Sequence, residues 1–332
     1  MRELVIVIQD LYLPGEPAAG EPLALPGLGF VTRFGARLSL AHGWRAWLAG
    51  WVGRAQLARV APARIAAAVH PLVAAAPDTL WIAVPVHLTA GLSRVHLDRR
   101  GLVYLHPDEL AQLAQDFART FAGSGFSLTP ASPRELLLLT PGVEAVATPE
   151  PARFADAEVN EALPRGPAAA GLRRTWTEME MWLHSQASNQ ARAVPMTALW
   201  PWGAQGTVAL PAPAAAQSGP AAFAQDAFVR GLWHICGLAY QSVPESFTAL
   251  EGDGGRVVLV LEAGSLMHGA SQGLAAALAQ LDARYLAPAV AALRAGRLDL
   301  LRLIANDRCL SVRRRSAFKL WRPAPAGLAG LE

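Results

Sequence analysis

Three polar residues that could bind a metal ion follow apolar runs of the sequence. Asp10 directly follows the first run, Asp307 lies just beyond the last, and His268 lies shortly after a third that ends at Glu262. Carboxylate oxygens and imidazole nitrogens are common ligands of divalent cations. An aspartate at a strand end also serves as a cap for a helix or turn, and a histidine in a surface loop needs no ligand. Both interpretations are open for each of the three residues.

A second candidate group lies on a predicted helix, 172–193, and on the segment that follows it. Glu180 and His184 are four residues apart, and Asn189 and Arg192 are three residues apart. On a helix, these spacings place the two residues of each pair on one face. Pro195 ends the helix, and a Leu-Trp-Pro-Trp-Gly loop then supplies two aromatic rings. We predict one pocket for a small anion or sugar-like ligand, capped by the tryptophans. The alternative is a polar network that holds the loop on the core. The predicted binding residues are Glu180, His184, Asn189, Arg192, Trp200, Trp202 and Gly203.

The elements that must position these residues alternate between strands and helices. Strands are predicted at 4–9, 256–262 and 300–305, and each leads into an acidic residue. This order predicts an α/β fold with polar residues at the carboxyl ends of its strands. Segments 11–35 and 38–76 are predicted as a loop and as mainly helical. We predict a core sheet flanked by helices from residues 1–76 and 141–332, with residues 77–140 as an inserted smaller α+β domain.

Composition excludes several classes of protein. Hydrophobic residues make up 52% of the 332 residues and charged residues 17%, which excludes disorder throughout. The net charge of +3 is too small to indicate a nucleic-acid partner. The uncharged stretch from Val194 to Gln225 contains five prolines, so it does not predict a membrane span. Two cysteines and the lack of a long apolar run at the N-terminus favour a cytoplasmic location.

The order of these segments resembles the cofactor-independent phosphoglycerate mutases, and more closely their archaeal-type branch. The resemblance lies in the strand-end Asp10, the α+β insertion, the L-H-x-x-x-x-N-x-x-R…L-W-P-W-G segment, and the run from Glu262 through His268 and Asp282 to Asp307. It is stronger for a bacterial group of mutase-related regulatory proteins, the RpfE type. These share P-V-H-L-x-A-G-L, E-x-x-M-x-L-H and L-W-x-W-G, which here begin at Pro85, Glu178 and Leu199.

The resemblance implies an alkaline-phosphatase-like core with the insertion as a second domain. It also implies two metal ions and a phosphorylated serine, and there this sequence departs from the family. Thr32 is the only hydroxyl in the G-F-V-T-R-F-G segment that corresponds to the serine motif. Arg308 follows Asp307 where the family has a histidine, and a cation there would repel a metal.

We therefore predict a degenerate, non-catalytic mutase-like protein that acts as a cytoplasmic binding or regulatory protein. Its expected partner is a small anionic metabolite or another protein, with no nucleic acid, membrane, cofactor or metal. The alternative is a metal-dependent phosphatase or phosphomutase with a rebuilt site. That site would use divalent metal ions held by Asp10, His268 and Asp307, with Thr32 as the hydroxyl.

Overall fold

The computed structural model describes residues 1–13, 25–70, 73, 76–91, 94–250, 255–268, 273–318 and 331. Its contacts divide the chain into two compact units. The first unit comprises residues 1–55, 215–225 and 236–332, and the second comprises residues 56–214 and 226–235. The predicted insertion, 77–140, lies within the second unit, which also includes flanking segments on both sides.

The first unit is built on a seven-stranded mixed sheet. In chain order its strands are β1 (Glu3–Ile8), β2 (Ala36–Ser39), β9 (Ala221–Phe223), β10 (Tyr240–Gln241), β11 (Arg256–Leu261), β12 (Leu300–Ala305) and β13 (Arg308–Arg313). Their order across the sheet is β10-β9-β11-β1-β12-β13-β2. The five strands from β10 to β12 in this order run parallel to one another, and β13 and β2 add an antiparallel edge. The predicted α/β class with a central sheet is confirmed.

The first unit contains five described helices. They are α1 (Pro26–Phe34), α2 (Gly43–Trp51), α8 (Ala263–His268), α9 (Leu274–Leu281) and α10 (Ala287–Arg294). A π-helical turn, Asp282–Leu286, joins α9 to α10. Alternate residues of β1 pack in one buried cluster with residues of α1, α9 and α10. The predicted loop at 11–35 is wrong where α1 lies; residues 14–24 are outside the described part of the chain.

The segment 38–76, predicted as mainly helical, contains less helix than predicted in its described residues. It contains α2, the short α3 (Pro62–Ala66) and single 3₁₀ turns at Ala55–Arg59 and Ala67–Val69. Gly53 adopts a φ of +79° shortly after α2, and Pro62 begins α3. A left-handed residue and a proline interrupt helical periodicity even where the apolar spacing continues.

The second unit contains a six-stranded sheet. Its strands are β3 (Thr79–Ala90), β4 (Val95–Leu102), β5 (Ser127–Ser132), β6 (Glu135–Thr140), β7 (Ala157–Glu158) and β8 (Ala198–Trp202). The path β5-β6-β3-β4-β7 runs across the sheet, and β8 pairs with β3. Besides α3, the helices described in this unit are α4 (Pro107–Thr120), α5 (Ala170–Ser185), α6 (Ala187–Gln190) and α7 (Ala227–Ile235). Residues of α4 and α5 pack in one apolar cluster with this sheet.

Candidate functional site

Asp10, the first candidate ligand, contacts the backbone of a helix. It lies just beyond β1 and is completely buried. Its Oδ1 accepts a hydrogen bond from the N–H of Ala263 at 2.8 Å, and its Oδ2 accepts one from Gly264 at 2.7 Å. These residues begin α8 directly beyond β11, the parallel neighbour of β1. The carboxylate therefore caps a helix N-terminus, where backbone N–H groups favour negative charge.

Asp307 lies in a tight turn between two antiparallel strands. Asn306 and Asp307 have φ angles of +50° and +53° and connect the paired residues Ala305 and Arg308. Two central residues with positive φ make a two-residue hairpin turn of the type that favours Asn and Asp. The carbonyl of Asp307 also accepts the N–H of Leu40 at 2.8 Å. The polar pair at this strand end thus has a structural role in the hairpin.

Thr32 and His268 complete the alternative metal-dependent site. Thr32 lies within α1, is buried, and donates its hydroxyl to the carbonyl of Leu28 at 2.9 Å. Such back-bonding to the preceding helical turn is the usual use of a threonine hydroxyl inside a helix. His268 is the last residue of α8, and its side chain is outside the described part of the structure.

These residues do not fit a two-metal centre. Across the described residues no group of three or more His, Cys, Asp or Glu side chains could hold a metal ion. A two-metal centre needs several ligand atoms converging on each ion. The carboxylate of Asp10 instead accepts two backbone N–H groups, and the Thr32 hydroxyl donates within its own helix.

Asp282, which the resemblance to the mutases places between His268 and Asp307, has the same structural role as Asp10. Its Oδ1 accepts the N–H of Leu28 at 2.6 Å and its Oδ2 that of Gly27 at 3.1 Å, at the start of α1. Burial raises the pKa of this carboxyl, and the two backbone hydrogen bonds oppose part of that rise. Its partners lie about 250 residues earlier in the chain, so no local pattern identifies the contact.

The second predicted group is divided between two cavities of the second unit. The first, which we call the helix-end cavity, has a volume of about 650 Å³ and contains Glu180, His184 and Asn189. Burial raises the pKa of Glu180. The remaining wall is mostly apolar and includes Met181, whose relative exposure is 62%. Its other lining residues are Leu88, Ala90, Val95, Leu163, Gln190, Pro195, Met196 and Thr197.

Asn189 connects α6 to the chain that follows. Its Nδ2 donates to the carbonyls of Leu183 at 3.0 Å and Met196 at 2.8 Å. Its Oδ1 accepts the N–H of Met196 at 2.8 Å. The side chain is 4% exposed, so these bonds satisfy a buried amide. Asn189 therefore holds the segment before β8 against the end of α5, as the polar-network interpretation predicts.

Arg192 lines the second cavity, which we call the arginine cavity and which has a volume of about 370 Å³; Asn189 lines both cavities. It forms an ion pair with Glu109 and donates to the carbonyl of Tyr104 at 3.4 Å. The side chain is therefore not directed into bulk solvent. Asp108 and Asp116 also line this cavity. Arg119 pairs with Asp116 but does not line the cavity. The three lining carboxylates therefore outnumber the basic groups, which disfavours a small anion there.

Trp200 and Trp202 are core residues and line neither cavity. The predicted loop is wrong here, because β8 pairs antiparallel with β3, with Trp200 opposite Val84 and Trp202 opposite Ile82. Trp200 is completely buried, donates its Nε1–H to the carbonyl of Pro149 at 2.9 Å, and packs on other rings. Proline is tolerated on an edge strand such as β8, so Pro201 does not exclude a strand here.

Gly203 follows β8 with a φ of +75°, a left-handed conformation that favours glycine. Its carbonyl accepts the N–H of Ala63 at 3.0 Å, and a Cβ here would lie 3.2 Å from the Pro62 side chain. Gly203 therefore packs closely against α3, and it lines neither of the two cavities.

Two comparisons by sequence find nothing: no protein-family model and no curated protein matches the chain. Solved structures are similar, among them the following two. The cofactor-independent phosphoglycerate mutase from Thermoplasma acidophilum DSM 1728 has 13% identity and a TM-score of 0.37, covering 94% of this chain and 90% of that chain. The PH0037 protein from Pyrococcus horikoshii has 12% identity and a TM-score of 0.48, covering 96% and 92%. At these values the similarity assigns neither an activity nor a substrate.

Proposed function

We propose that the chain is a degenerate, non-catalytic relative of the phosphoglycerate mutases, of the RpfE type, that acts as a cytoplasmic binding or regulatory protein. The observation that carries this proposal is the position of Asp10, whose two oxygens accept the N–H groups of Ala263 and Gly264. In the resemblance to the mutases this aspartate would bind metal. Here its negative charge stabilises a helix N-terminus.

The groups expected to work with Asp10 support the same proposal. The hydroxyl of Thr32 donates within its helix, and Asp307 forms a hairpin turn in front of Arg308. A guanidinium is always protonated near neutral pH, so Arg308 supplies a positive charge where the resemblance requires a metal ligand. Both cysteines, Cys236 and Cys309, are free and buried, which agrees with a reducing compartment.

The helix-end cavity is the binding site that we propose. Its ionisable lining residues are Glu180 and His184, and the rest of its wall is mainly apolar. The one arginine of the predicted group, Arg192, is paired with Glu109 in the other cavity. We therefore propose that the ligand is not an anionic metabolite but a molecule with an apolar body and an uncharged polar group. Moving an uncharged group out of water beside Glu180 costs less free energy than moving an anion there.

A turnover assay tests the non-catalytic part of the proposal. Wild-type protein supplied with manganese, zinc or magnesium should convert neither a phosphomonoester nor a phosphoglycerate faster than the same protein in a chelator. Metal-dependent turnover that is lost in Asp10→Asn would overturn the proposal and support a rebuilt phosphatase or phosphomutase site.

A thermal-shift screen of uncharged amphipathic metabolites tests the binding part. We expect a compound that stabilises the wild type to lose its effect in Met181→Ser, because this exposed side chain lines the helix-end cavity. Leu38→Ser is the matched control, since Leu38 is similarly exposed at 53% and lies on β2. Equal loss in both variants, or no stabilising compound, would contradict the choice of site.

A further inference from the structure

A third cavity lies at the carboxyl ends of the parallel strands of the first unit. We call it the strand-end cavity; its volume is about 240 Å³. Ligands in open α/β sheets commonly bind at this edge. The cavity does not involve the residues of the helix-end cavity, so the inference below is independent of the proposed function. Its lining residues are Gln9, Gln225, Val243, Pro244, Glu245, Val260, Leu261, Glu262, Ser265, Leu266, Leu281, Arg284 and Tyr285.

Gln9 has a buried acceptor that lacks a donor. The residue directly follows β1 and is 2% exposed. Its side-chain nitrogen donates to the carboxylate of Glu262. This hydrogen bond sets the orientation of the amide, with Nε2 toward Glu262 and Oε1 on the other side. Within the described part of the chain, Oε1 is buried and has no hydrogen-bond partner. A buried carbonyl oxygen without a donor is unfavourable, so this atom requires a donor from outside the protein.

The charges around Gln9 determine which donor fits. Glu262, partly buried beside the amide, supplies negative charge, and the exposed Glu245 adds a second carboxylate. Tyr285 donates its hydroxyl to the carbonyl of Pro244 at 2.5 Å, which leaves its oxygen as an acceptor. The cavity is therefore lined by acceptor oxygens and by two carboxylates against the one guanidinium of Arg284. A donor that carries positive charge is favoured over a neutral hydroxyl.

We propose that the strand-end cavity binds a small protonated primary amine. An ammonium group has three N–H donors and no acceptor. One donor would satisfy Gln9 Oε1, and a second would reach the carboxylate of Glu262. The aliphatic part of the ligand would contact the apolar side chains of Val243 and Leu266, which line the same cavity.

Two sources of such an ammonium group fit the cavity, a simple alkylamine and an amino acid. Arg284 is exposed and lines the cavity together with Glu245. A guanidinium binds a carboxylate in two parallel hydrogen bonds. An amino acid would therefore gain a contact with Arg284 that an alkylamine lacks.

Titration calorimetry with propylamine, alanine and propionate separates these ligands, because the three have similar size and differ in charge. We expect propylamine or alanine to bind with a Kd of about 1 mM or tighter, and propionate at least tenfold more weakly. Tighter binding of alanine identifies the amino acid as the source, and equal binding identifies the simple amine. Propionate binding as tightly as propylamine, or no binding of either amine, would overturn the proposal.

Substitutions then locate the site. Gln9→Met keeps the length of the side chain and removes the acceptor, so the amine affinity should fall at least tenfold. Gln56→Met is the matched control, since Gln56 is exposed in a 3₁₀ turn outside this cavity. Glu262→Gln removes the neighbouring charge and provides a second variant should Gln9→Met fail to fold. Unchanged amine affinity in folded Gln9→Met or Glu262→Gln would contradict the assignment.

Discussion

The Oδ2 atom of Asp10 lies 2.7 Å from the backbone nitrogen of Gly264 and accepts its hydrogen bond. Asp282 makes the equivalent contact with Leu28, at the start of α1. Two buried aspartates of the first unit therefore stabilise helix N-termini about 250 residues away in sequence. Each carboxylate thus joins two segments that are distant in the sequence. Both side chains can be buried because backbone N–H groups donate hydrogen bonds to both of their oxygens.

Replacing Asp10 with alanine should destabilise the protein by about 2–3 kcal/mol, because two hydrogen bonds to a charged acceptor are lost and two N–H groups remain buried. The free energy of unfolding, measured in urea, reports the effect. The expected loss is the same with and without added manganese. A stability loss seen only when metal is present would show that Asp10 acts through an ion.

Asp307→Gly should leave the stability unchanged or raise it slightly, because glycine adopts a φ of +53° without strain. Asp307→Val should destabilise the protein by about 1–2 kcal/mol, since a β-branched residue is strained in that region. Thermal unfolding of the two variants compares them directly. Similar losses for both would indicate that the carboxylate itself, and not the turn geometry, is needed.

The start of α1 packs so closely against the start of α10 that no side chain fits at Gly27. A Cβ there would lie 2.4 Å from the backbone nitrogen of Ala287, whereas at Gly29 it would meet nothing within 4 Å. Gly27→Ala should therefore destabilise the protein by about 1–3 kcal/mol. The control Gly29→Ala, in the same helix, should stabilise it by up to about 1 kcal/mol. Equal effects in chemical denaturation would refute the close packing of α1.

The pair of Arg192 and Glu109 should contribute little to stability, because both side chains are partly exposed, at 21% and 39%. We expect a coupling energy below about 1 kcal/mol in a double-mutant cycle of Arg192→Ala and Glu109→Gln. A thermal-shift response to phosphate or a phosphate ester, lost in Arg192→Ala, would instead indicate an anion site in the arginine cavity.

Acid should weaken the contacts of Glu3. Burial alone would raise the pKa of this carboxyl, but hydrogen bonds from Arg302, Trp51 and Arg256 outweigh it, so the pKa lies below its usual value. The stabilisation is present above the unfolded pKa, about 4.3, and is lost as the pH falls through the lower folded value. The difference in unfolding free energy between wild type and Glu3→Gln should therefore be large at pH 7 and shrink toward pH 3.

Glu178→Gln, on the exposed face of α5, is the control for the loss of one charge. A difference that does not change with pH would contradict this assignment.

The sequence identified those elements whose apolar residues form short continuous runs. The strand at Leu300–Ala305 coincides with its predicted range, and the one at Arg256–Leu261 ends one residue earlier than predicted, because buried strands are β-branched or leucine-rich throughout. The strand β8 was missed because its proline and tryptophans are typical of loops and recognition surfaces. The caps at Asp10 and Asp282 could not be predicted in detail, since each depends on a partner brought close only by the complete fold.

The predicted binding group stays a prediction, and the structure shows which of its residues lie together. Helical spacing correctly places Glu180 and His184 on one face, and both line the helix-end cavity with Asn189. Arg192 lies beyond the end of α6 and turns toward α4, where Glu109 is available as an ion-pair partner. Helical spacing no longer applies once the helix has ended, so the sequence could not separate the two cavities.

The metal content of the purified protein tests the central claim most directly. The wild type and Asp10→Asn should be isolated without a chelator, incubated with manganese or zinc, desalted and analysed by mass spectrometry of the elements. If Asp10 is a helix cap in a non-catalytic protein, both proteins should retain far less than stoichiometric metal. Stoichiometric manganese or zinc in the wild type that is lost in Asp10→Asn would contradict the account.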